Sequence, residues 1–442
     1  MTLTTKVLWA MLLGIIIGLI INIAGCNTAE SFIHDYIVNG LFHIVGTMFI
    51  TALKMLVVPL VFFSLISGVL GIGDIRKLGS VGLKSFGLYL LTTAIAIALS
   101  IALASFIIPF FSTPMGSSES FTATQAPALS EVLINIIPAN VVESFASGNM
   151  LQIIFFSILF AISLLMVGEK AQKIAEGIEV LNEAMMNMVK IVMSVAPYAV
   201  FALLAKAVSE LGLDLLAQLS VYVIVLITAL LLHLFGTLML LLKLFSGLNP
   251  KRFLAKIRDA QIFAFSTASS NATIPVTLRS LTKRMGVDNS VASFTVPFGA
   301  TINMDGTAIM QGVATVFIAN IYGVDLGLSG YLTVILMSVL ASIGTAGVPG
   351  VGLIMLSMVF VQVGLPLEGI GLILGVDRLL DMVRTSVNVT GDAVVTCIVA
   401  KSEREIDFKV FEDSEAGKMS EIEINTVNEE ALAKAVHHME EK

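Results

Sequence analysis

Apolar residues run along this chain in long stretches broken by short polar interludes, at 7–25, 40–72, 80–111, 148–167, 171–208 and 212–246. A helix needs about 20 apolar residues to cross the hydrocarbon core of a bilayer, so each stretch reads as a membrane span. The longest of them predict tilt or extension beyond the bilayer. From 250 to 403 the pattern is more broken. The stretch 250–286 is interrupted by Ser269-Ser270-Asn271-Ala272-Thr273-Ile274-Pro275, and 326–370 by Ser342-Ile343-Gly344-Thr345-Ala346-Gly347-Val348-Pro349-Gly350. Each reads as a helix, a small-residue tip with a proline, and a returning helix. Irregular backbone at membrane depth is tolerated only where protein buries it or it lines a cavity, so both are predicted re-entrant hairpins.

Charge placement orients these elements. Lys and Arg cluster at Arg76-Lys77 with Lys84, at Lys170 and Lys173, at Lys251-Arg252 with Lys256 and Arg258, at Arg279-Lys283-Arg284, and at Lys401-Arg404. The breaks at 25–40, 112–150, 319–330 and 362–370 carry none. The positive-inside rule then predicts both termini in the cytoplasm, with eight full crossings if the two hairpins each return to their own side. The first hairpin starts and ends in basic breaks and the second in breaks without them. Two broken segments entering from opposite faces predict inverted repeats with a site near the midplane. Residues 112–130 read as a Ser/Thr/Pro-rich outer loop and 404–442 as an acidic, solvated tail.

Composition agrees. Of 442 residues, 57% are hydrophobic and only 13% charged, against about 25% charged in an average soluble domain. Mean hydropathy is +0.95, so lipid is the first solvent for most of the chain. A net charge of -7 and a pI near 5.3 exclude a nucleic-acid surface. Cys26 and Cys397 are too far apart in sequence to imply a disulfide framework, and the histidines show no metal-ligand spacing. Ile23-Ala24-Gly25-Cys26 matches a lipoprotein processing site, but a first span ending in small residues explains the same letters.

The chemistry concentrates in 375–403. Asp377, Asp381, Arg384, Asn388 and Asp392 are spaced by four, three, four and four residues, which at 100° per residue makes one stripe on a helix. Each charge at the centre of a membrane helix costs about 2.5–3.5 kcal/mol on insertion scales, so partners, ions or water must meet them. Internal pairing of Asp381 with Arg384 accounts for part of the stripe and leaves Asn388 and Asp392 as oxygen ligands. Arg378 lies off it. A second polar island, Gly299-Ala300-Thr301-Ile302-Asn303-Met304-Asp305-Gly306-Thr307, suits an unwound turn whose oxygens bind a small hard cation. Tyr89, Thr92 and Thr93 form a weaker third group, since hydroxyls in a membrane helix commonly bond back to their own carbonyls. Arg384 suits a carboxylate, and helix N-termini at the two tips add positive dipole ends. Asp381, one turn away, suits an ammonium group.

These residues carry a family resemblance. The hairpin tips, Asn303-Met304-Asp305-Gly306-Thr307, and Asp381-Met382-Val383-Arg384-Thr385 with Asn388-Val389-Thr390-Gly391-Asp392 resemble the glutamate transporter family, the dicarboxylate/amino acid:cation symporters. That resemblance implies an all-α integral membrane homotrimer of eight transmembrane helices and two hairpins per protomer, working as an elevator. It implies scaffold parts at 1–78 and 112–208 and transport parts at 79–111 and 209–403. Arg384 would bind the substrate side-chain carboxylate and Asp381 its amino group, with Thr307, Asn388, Ser270, Gly347 and Val348 completing the pocket. One sodium ion would use Asn388, Asp392 and the carbonyls of Gly299 and Asn303; a second the carbonyls of Thr301, Ser342, Ile343 and Thr345; a third Tyr89, Thr92, Thr93, Asn303 and Asp305. The resemblance thus points to a sodium-coupled symporter of aspartate or glutamate in the inner membrane, and to no enzyme.

Departures from the family pattern are specific. Archaeal members carry an arginine where this chain has Ala268, and animal members one where it has Met382. Gln311 stands where animal carriers have a glutamate tied to proton coupling, which predicts no proton cotransport of that kind. Cystine or C4-dicarboxylate carriage and proton coupling are the alternatives. Gly71-Ile72-Gly73-Asp74 matches a signature of intramembrane aspartyl proteases, but such an enzyme needs a second aspartate in a neighbouring span, and no suitable one precedes it.

Overall fold

Helices dominate the computed structural model of the chain, which describes residues 3–26, 31–71, 75–111, 134–343, 347 and 349–417. Among the described residues the one β feature is a bridge between Val287 and Ile406. Among the described residues, five helical stretches are long and apolar enough to cross a membrane: Thr5–Ile23, Ile33–Leu70, Ser80–Phe111, Leu151–Ser194 and Ala196–Ser246. Length and apolarity alone therefore give fewer crossings than the eight expected. The shortfall of three has a physical origin: the three spans expected at 148–167, 171–208 and 212–246 form two long stretches, the seventh expected span is broken in the middle, and the eighth carries the charged stripe.

The elements run in order as α1 (Leu3–Ile23), α2 (His43–Gly71, entered through a wide π-turn at Ile33–Phe42), α3 (Ile75–Phe111), the short α4 (Val141–Ser147), α5 (Met150–Val167), α6 (Gln172–Ser194) and α7 (Ala196–Leu231). A second π-turn, Leu232–Leu238, joins α7 to α8 (Met239–Ser246). The stretch 171–208, expected as one span, is divided at Val195. The helix after it carries Pro197 in its first turn, where a missing N–H is tolerated, whereas inside a continuous helix it would break the ladder. The break expected between 208 and 212 is present: the backbone at Gly212 is non-helical (φ 63°, ψ -145°) and separates two helical parts of α7, a conformation that glycine reaches without steric penalty.

Both predicted hairpins form. The first is α9 (Pro250–Thr267) and α10 (Ser270–Arg279), and the second α13 (Gly327–Ser342) and α14 (Val351–Gln362). Asn249 caps α9 and Ser269 caps α10 through side-chain oxygens, satisfying N–H groups that have no partner in the first turn. Between the hairpins the seventh expected span is interrupted: α11 (Asn289–Ile302) ends at an extended Asn303, and α12 (Asp305–Ile321) starts after Met304. The final long helix, α15 (Gly369–Glu403), is continuous, and the short α16 (Phe408–Glu412) comes after it.

In packing, α1 lies along α7, and α2 lies against α5 and α6. α12 sits between α3 and α15, and α15 also meets α9 and α11. Residues 404–417 fold back on the base of the first hairpin. There the buried Lys256 ammonium donates to the carbonyls of Arg284, Val410 (2.8 Å) and Asp413 (2.7 Å), and Arg252 pairs with Glu412. The remainder of the predicted tail lies outside the described residues, as do residues 72–74 of the protease-like signature.

Candidate functional site

The stripe on α15 faces inward along its length: Asp377, Asp381, Arg384, Asn388 and Asp392 are all buried. Arg384 is 1% exposed. Its Nη1 lies 2.9 Å from Asp377 Oδ1 and its Nη2 donates to Asp381 Oδ1 at 3.0 Å. The Asp377 contact is close in charge but lacks hydrogen-bond alignment, so Asp377 Oδ1 and Arg384 Nη1 have no hydrogen-bond partner among the described residues. Arg378 Nη1 stands 3.7 Å from Asp381 Oδ2, so a cation that lies off the stripe joins the network. Four alternating charges at this depth compensate one another far better than any does alone.

The hairpin tips close over this charge. Gly347 O accepts from Ser269 Oγ at 2.7 Å and from the Asn271 N–H at 3.2 Å. A Cβ on Gly347 would stand 3.0 Å from the Ala300 carbonyl and from the Ser270 side chain, so glycine is needed for the approach. A Cβ on Gly352 would fall 3.4 Å from the Thr307 methyl and 3.6 Å from Arg384 Nη2, which puts Thr307 beside the guanidinium. Asn388 Oδ1 accepts the Gly306 N–H at 2.7 Å, fixing the broken end of α12 against α15. Expected pocket residues Ser270, Thr307, Gly347, Asp381, Arg384 and Asn388 are thus drawn to one region. Val348 lies outside the described residues. A cavity of ≈ 40 Å³ remains beside Asp377, Arg378 and Asp381, bounded by Pro349 and Gly350 of the second tip and by Val200 of α7. It has room for a few water molecules.

A separate oxygen cluster lies deeper. Asn303 Nδ2 donates to Asp392 Oδ1 at 2.9 Å. Asp305 Oδ1 accepts from Thr93 Oγ1 at 2.8 Å and lies 3.3 Å from Thr92 Oγ1, which is also 3.4 Å from Asn303 Oδ1. Tyr89 OH donates to the Thr295 carbonyl at 2.9 Å. A Cβ on Gly299 would meet Asp392 Oδ1 at 2.5 Å and Tyr89 OH at 2.7 Å, so that helix turn is pressed directly onto the carboxylate. The described residues of two of the three expected ion sets lie close together and share Asn303, although Thr92 Oγ1 also bonds back to the Tyr89 carbonyl at 3.1 Å. The remaining set is expected to act through backbone carbonyls; the hydroxyls of its Thr301 and Ser342 donate back to Phe298 O and Val339 O on their own helices. Ile343 ends α13 in extended backbone, and Thr345 lies outside the described residues.

Neither Asp305 nor Asp392 has a Lys or Arg partner among the described residues. A buried carboxylate without a counter-charge is strongly disfavoured. Beside Asn303 Nδ2 on Asp392 and His233 Nε2 on Asp305, the neighbouring atoms include the Thr92 and Thr93 hydroxyls and Asn303 Oδ1, oxygens of the kind that a hard cation takes. No group of three or more His, Cys, Asp or Glu side chains suited to a metal occurs among the described residues. By its donor types the cluster fits a hard cation better than a transition metal.

His233 has no role in the sequence pattern, because its spacing to other histidines is uninformative. Its Nε2 lies 3.1 Å from Asp305 Oδ2, and both side chains are fully buried. An ionisable residue inside an apolar span is itself a usable signal. Asp377 belongs to the stripe without an expected role; the structure makes it the second counter-charge of Arg384.

Comparison with known proteins agrees with this chemistry. The profile of the Sodium:dicarboxylate symporter family matches residues 3–402. A proton/sodium-glutamate symport protein of Bacillus caldotenax is 35% identical over 404 residues, covering 89% of this chain and 94% of the relative. A proton/glutamate-aspartate symporter of Escherichia coli (strain K12) is 34% identical, covering 92% and 94%. An excitatory amino acid transporter of Caenorhabditis elegans is 34% identical, covering 80% of each. With a family profile matching nearly the whole chain and relatives aligned along most of their length, the chain belongs to the sodium:dicarboxylate symporter family.

Proposed function

We propose that this protein is a sodium-coupled symporter of acidic amino acids, aspartate or glutamate, working by alternating access as a homotrimer in the inner membrane with both termini cytoplasmic. The observation that carries the reading is the pair of neighbouring buried clusters. One is a guanidinium held between two carboxylates beneath two touching hairpin tips. The other is an oxygen-rich nest around Asp305 and Asp392 with no basic partner among the described lysines and arginines.

Each group has a chemical task in this reading. Arg384 offers a fixed fork of donors to a carboxylate. Asp381 already lies against it, so an incoming carboxylate competes for Nη2 and frees Asp381 for the substrate ammonium. Thr307 in the first turn of α12 and Asn388, which accepts from the Gly306 N–H of that turn, border the same space. Sodium supplies the positive charge that Asp305 and Asp392 lack, with Tyr89, Thr92, Thr93, Gly299, Asn303 and Asn388 around it. Thr301, Ser342, Ile343 and Thr345 at the second tip form a further ion set. Because Asn388 and Asp392 stand one and two turns beyond Arg384 on one helix, cation binding and substrate binding act on the same element. That shared helix is the physical basis for coupling.

The packing supports a division into a moving unit of 79–111 and 209–403 and a static one of 1–78 and 112–208. α3, α12 and α15 form one packed group, and α2, α5 and α6 another. A relative named as a C4-dicarboxylate transport protein, from Bacillus subtilis (strain 168), is 32% identical, which makes a dicarboxylate without an amino group the second reading. Asp381 weighs against it, because a carboxylate at that point repels a substrate that brings no ammonium. The test is competition in proteoliposomes against labelled aspartate uptake. Glutamate should compete, while serine, cystine and succinate should not. Succinate competing as well as glutamate would overturn the amino-acid reading.

A further inference from the structure

His233 lies outside every ligand set considered above, yet the fold incurs two local costs to put it where it is. It is the second residue of the π-turn Leu232–Leu238. A π-turn places one extra residue in a helical turn, rotates the next part of the helix by about 100°, and is found mostly at functional sites. Here the turn packs against α3 and α15, the helices that carry Thr92, Thr93 and Asp392. The second cost is on the ring itself. His233 is 0% exposed, and its Nδ1 has no hydrogen-bond partner among the described residues. A buried histidine serving only to fill the core would be better with both nitrogens satisfied or with an apolar replacement.

Both costs secure one contact, Nε2 to Asp305 Oδ2 at 3.1 Å. A carboxylate only accepts, so Nε2 is the nitrogen that bears the proton. The division of labour on Asp305 is then clear. Oδ2 is occupied by the imidazole, while Oδ1 accepts from Thr93 at 2.8 Å and lies 3.3 Å from Thr92, whose hydroxyl also reaches the Tyr89 carbonyl at 3.1 Å. A threonine hydroxyl that gives its proton to Oδ1 keeps its lone pairs for a cation. The carboxylate is thereby locked in rotation with one oxygen and two hydroxyls turned to the Asn303 side.

We propose that His233 is a positioning residue for the coupling cation: its Nε2–H orients Asp305 so that Oδ1, Thr92, Thr93 and Asn303 present one preformed oxygen face. The proposal rests on the sodium reading above and adds to it a residue on a helix that none of the expected ligand sets includes. Outer-shell partners of this kind commonly set metal affinity by about 10–100-fold.

The experiment uses the purified full-length chain and reads thermal stabilisation by NaCl at constant ionic strength, without substrate. H233L removes the donor, and H233Q keeps an N–H near the place of Nε2. The half-stabilising sodium concentration should rise by roughly tenfold or more in H233L and return most of the way in H233Q. Aspartate affinity at saturating sodium should stay near wild type in both. An H233L curve that superimposes on a sodium-responsive wild type overturns the positioning role alone. A wild type that sodium does not stabilise overturns the cation reading and this proposal with it. Should H233L fail to fold, 15N-histidine NMR of the wild type decides. The signal lost in H233Q must show the proton on Nε2 and move with added sodium; a proton on Nδ1, or no movement, overturns the proposal.

Discussion

Arg384 holds its charge against two buried carboxylates, so its replacement has consequences for both binding and folding. R384C removes the fork proposed to meet the substrate carboxylate and leaves Asp377 and Asp381 with less compensation. Breaking one side of a buried charge network costs about 3–5 kcal/mol, and D377N added to R384C should recover a substantial part of that in thermal melts. Aspartate uptake by R384C should fall by about 100-fold or more, while a neutral amino acid such as serine becomes the better substrate. Aspartate transport surviving in R384C would remove Arg384 from the site. At this scale much is legible in the sequence. A helix repeats every 100°, so the stripe from Asp377 to Asp392 can be read by counting, and burial of charge demands partners. Distance across the fold is not legible. Arg378 joins Asp381 because of side-chain reach, and His233 meets Asp305 only because a π-turn, which carries no sequence signature, rotates it inward.

The two hairpins are readable as elements because glycine, serine and proline at membrane depth admit little else. The interruption at Asn303–Met304 is readable for the same reason. Continuity is harder to read: proline in a first turn divides 171–208 at Val195, whereas the break read between 208 and 212 does fall at Gly212. The fold-back of residues 404–417 also escapes a sequence reading, since its anchor is a lone lysine that looks like one more basic residue of a cytoplasmic break. Lys256 satisfies three carbonyls from two segments. K256M should leave them short of a donor, at a cost of about 1–3 kcal/mol for each one that water does not reach. Hydrogen exchange should then speed up at the amides of 405–413 while those of α15 before Ala400 keep their protection. Unchanged exchange in 405–413 would mean that Arg252–Glu412 and the Val287–Ile406 bridge hold the segment without Lys256.

Across the whole molecule, the buried charge network around Arg384 and the oxygen-rich cluster around Asp305 and Asp392 are joined through one helix, α15, and one broken helix pair, α11 and α12. Coupling in this arrangement needs no long relay, because Asn388 touches the broken end of α12 while lying between Arg384 and Asp392. The relatives include proteins named for protons as well as sodium, so the identity of the coupling ion is the point on which the mechanism most depends. Gln311, uncharged and buried in α12, and the oxygen nest at Asp305 and Asp392 both favour sodium. The direct measurement is uptake of labelled aspartate into proteoliposomes under an inward sodium gradient, set against an equal potassium gradient and against a pH gradient without sodium. A sodium-coupled carrier of this design gives concentrative uptake with sodium alone and no proton movement accompanying it. Uptake driven by the pH gradient and indifferent to sodium would contradict it.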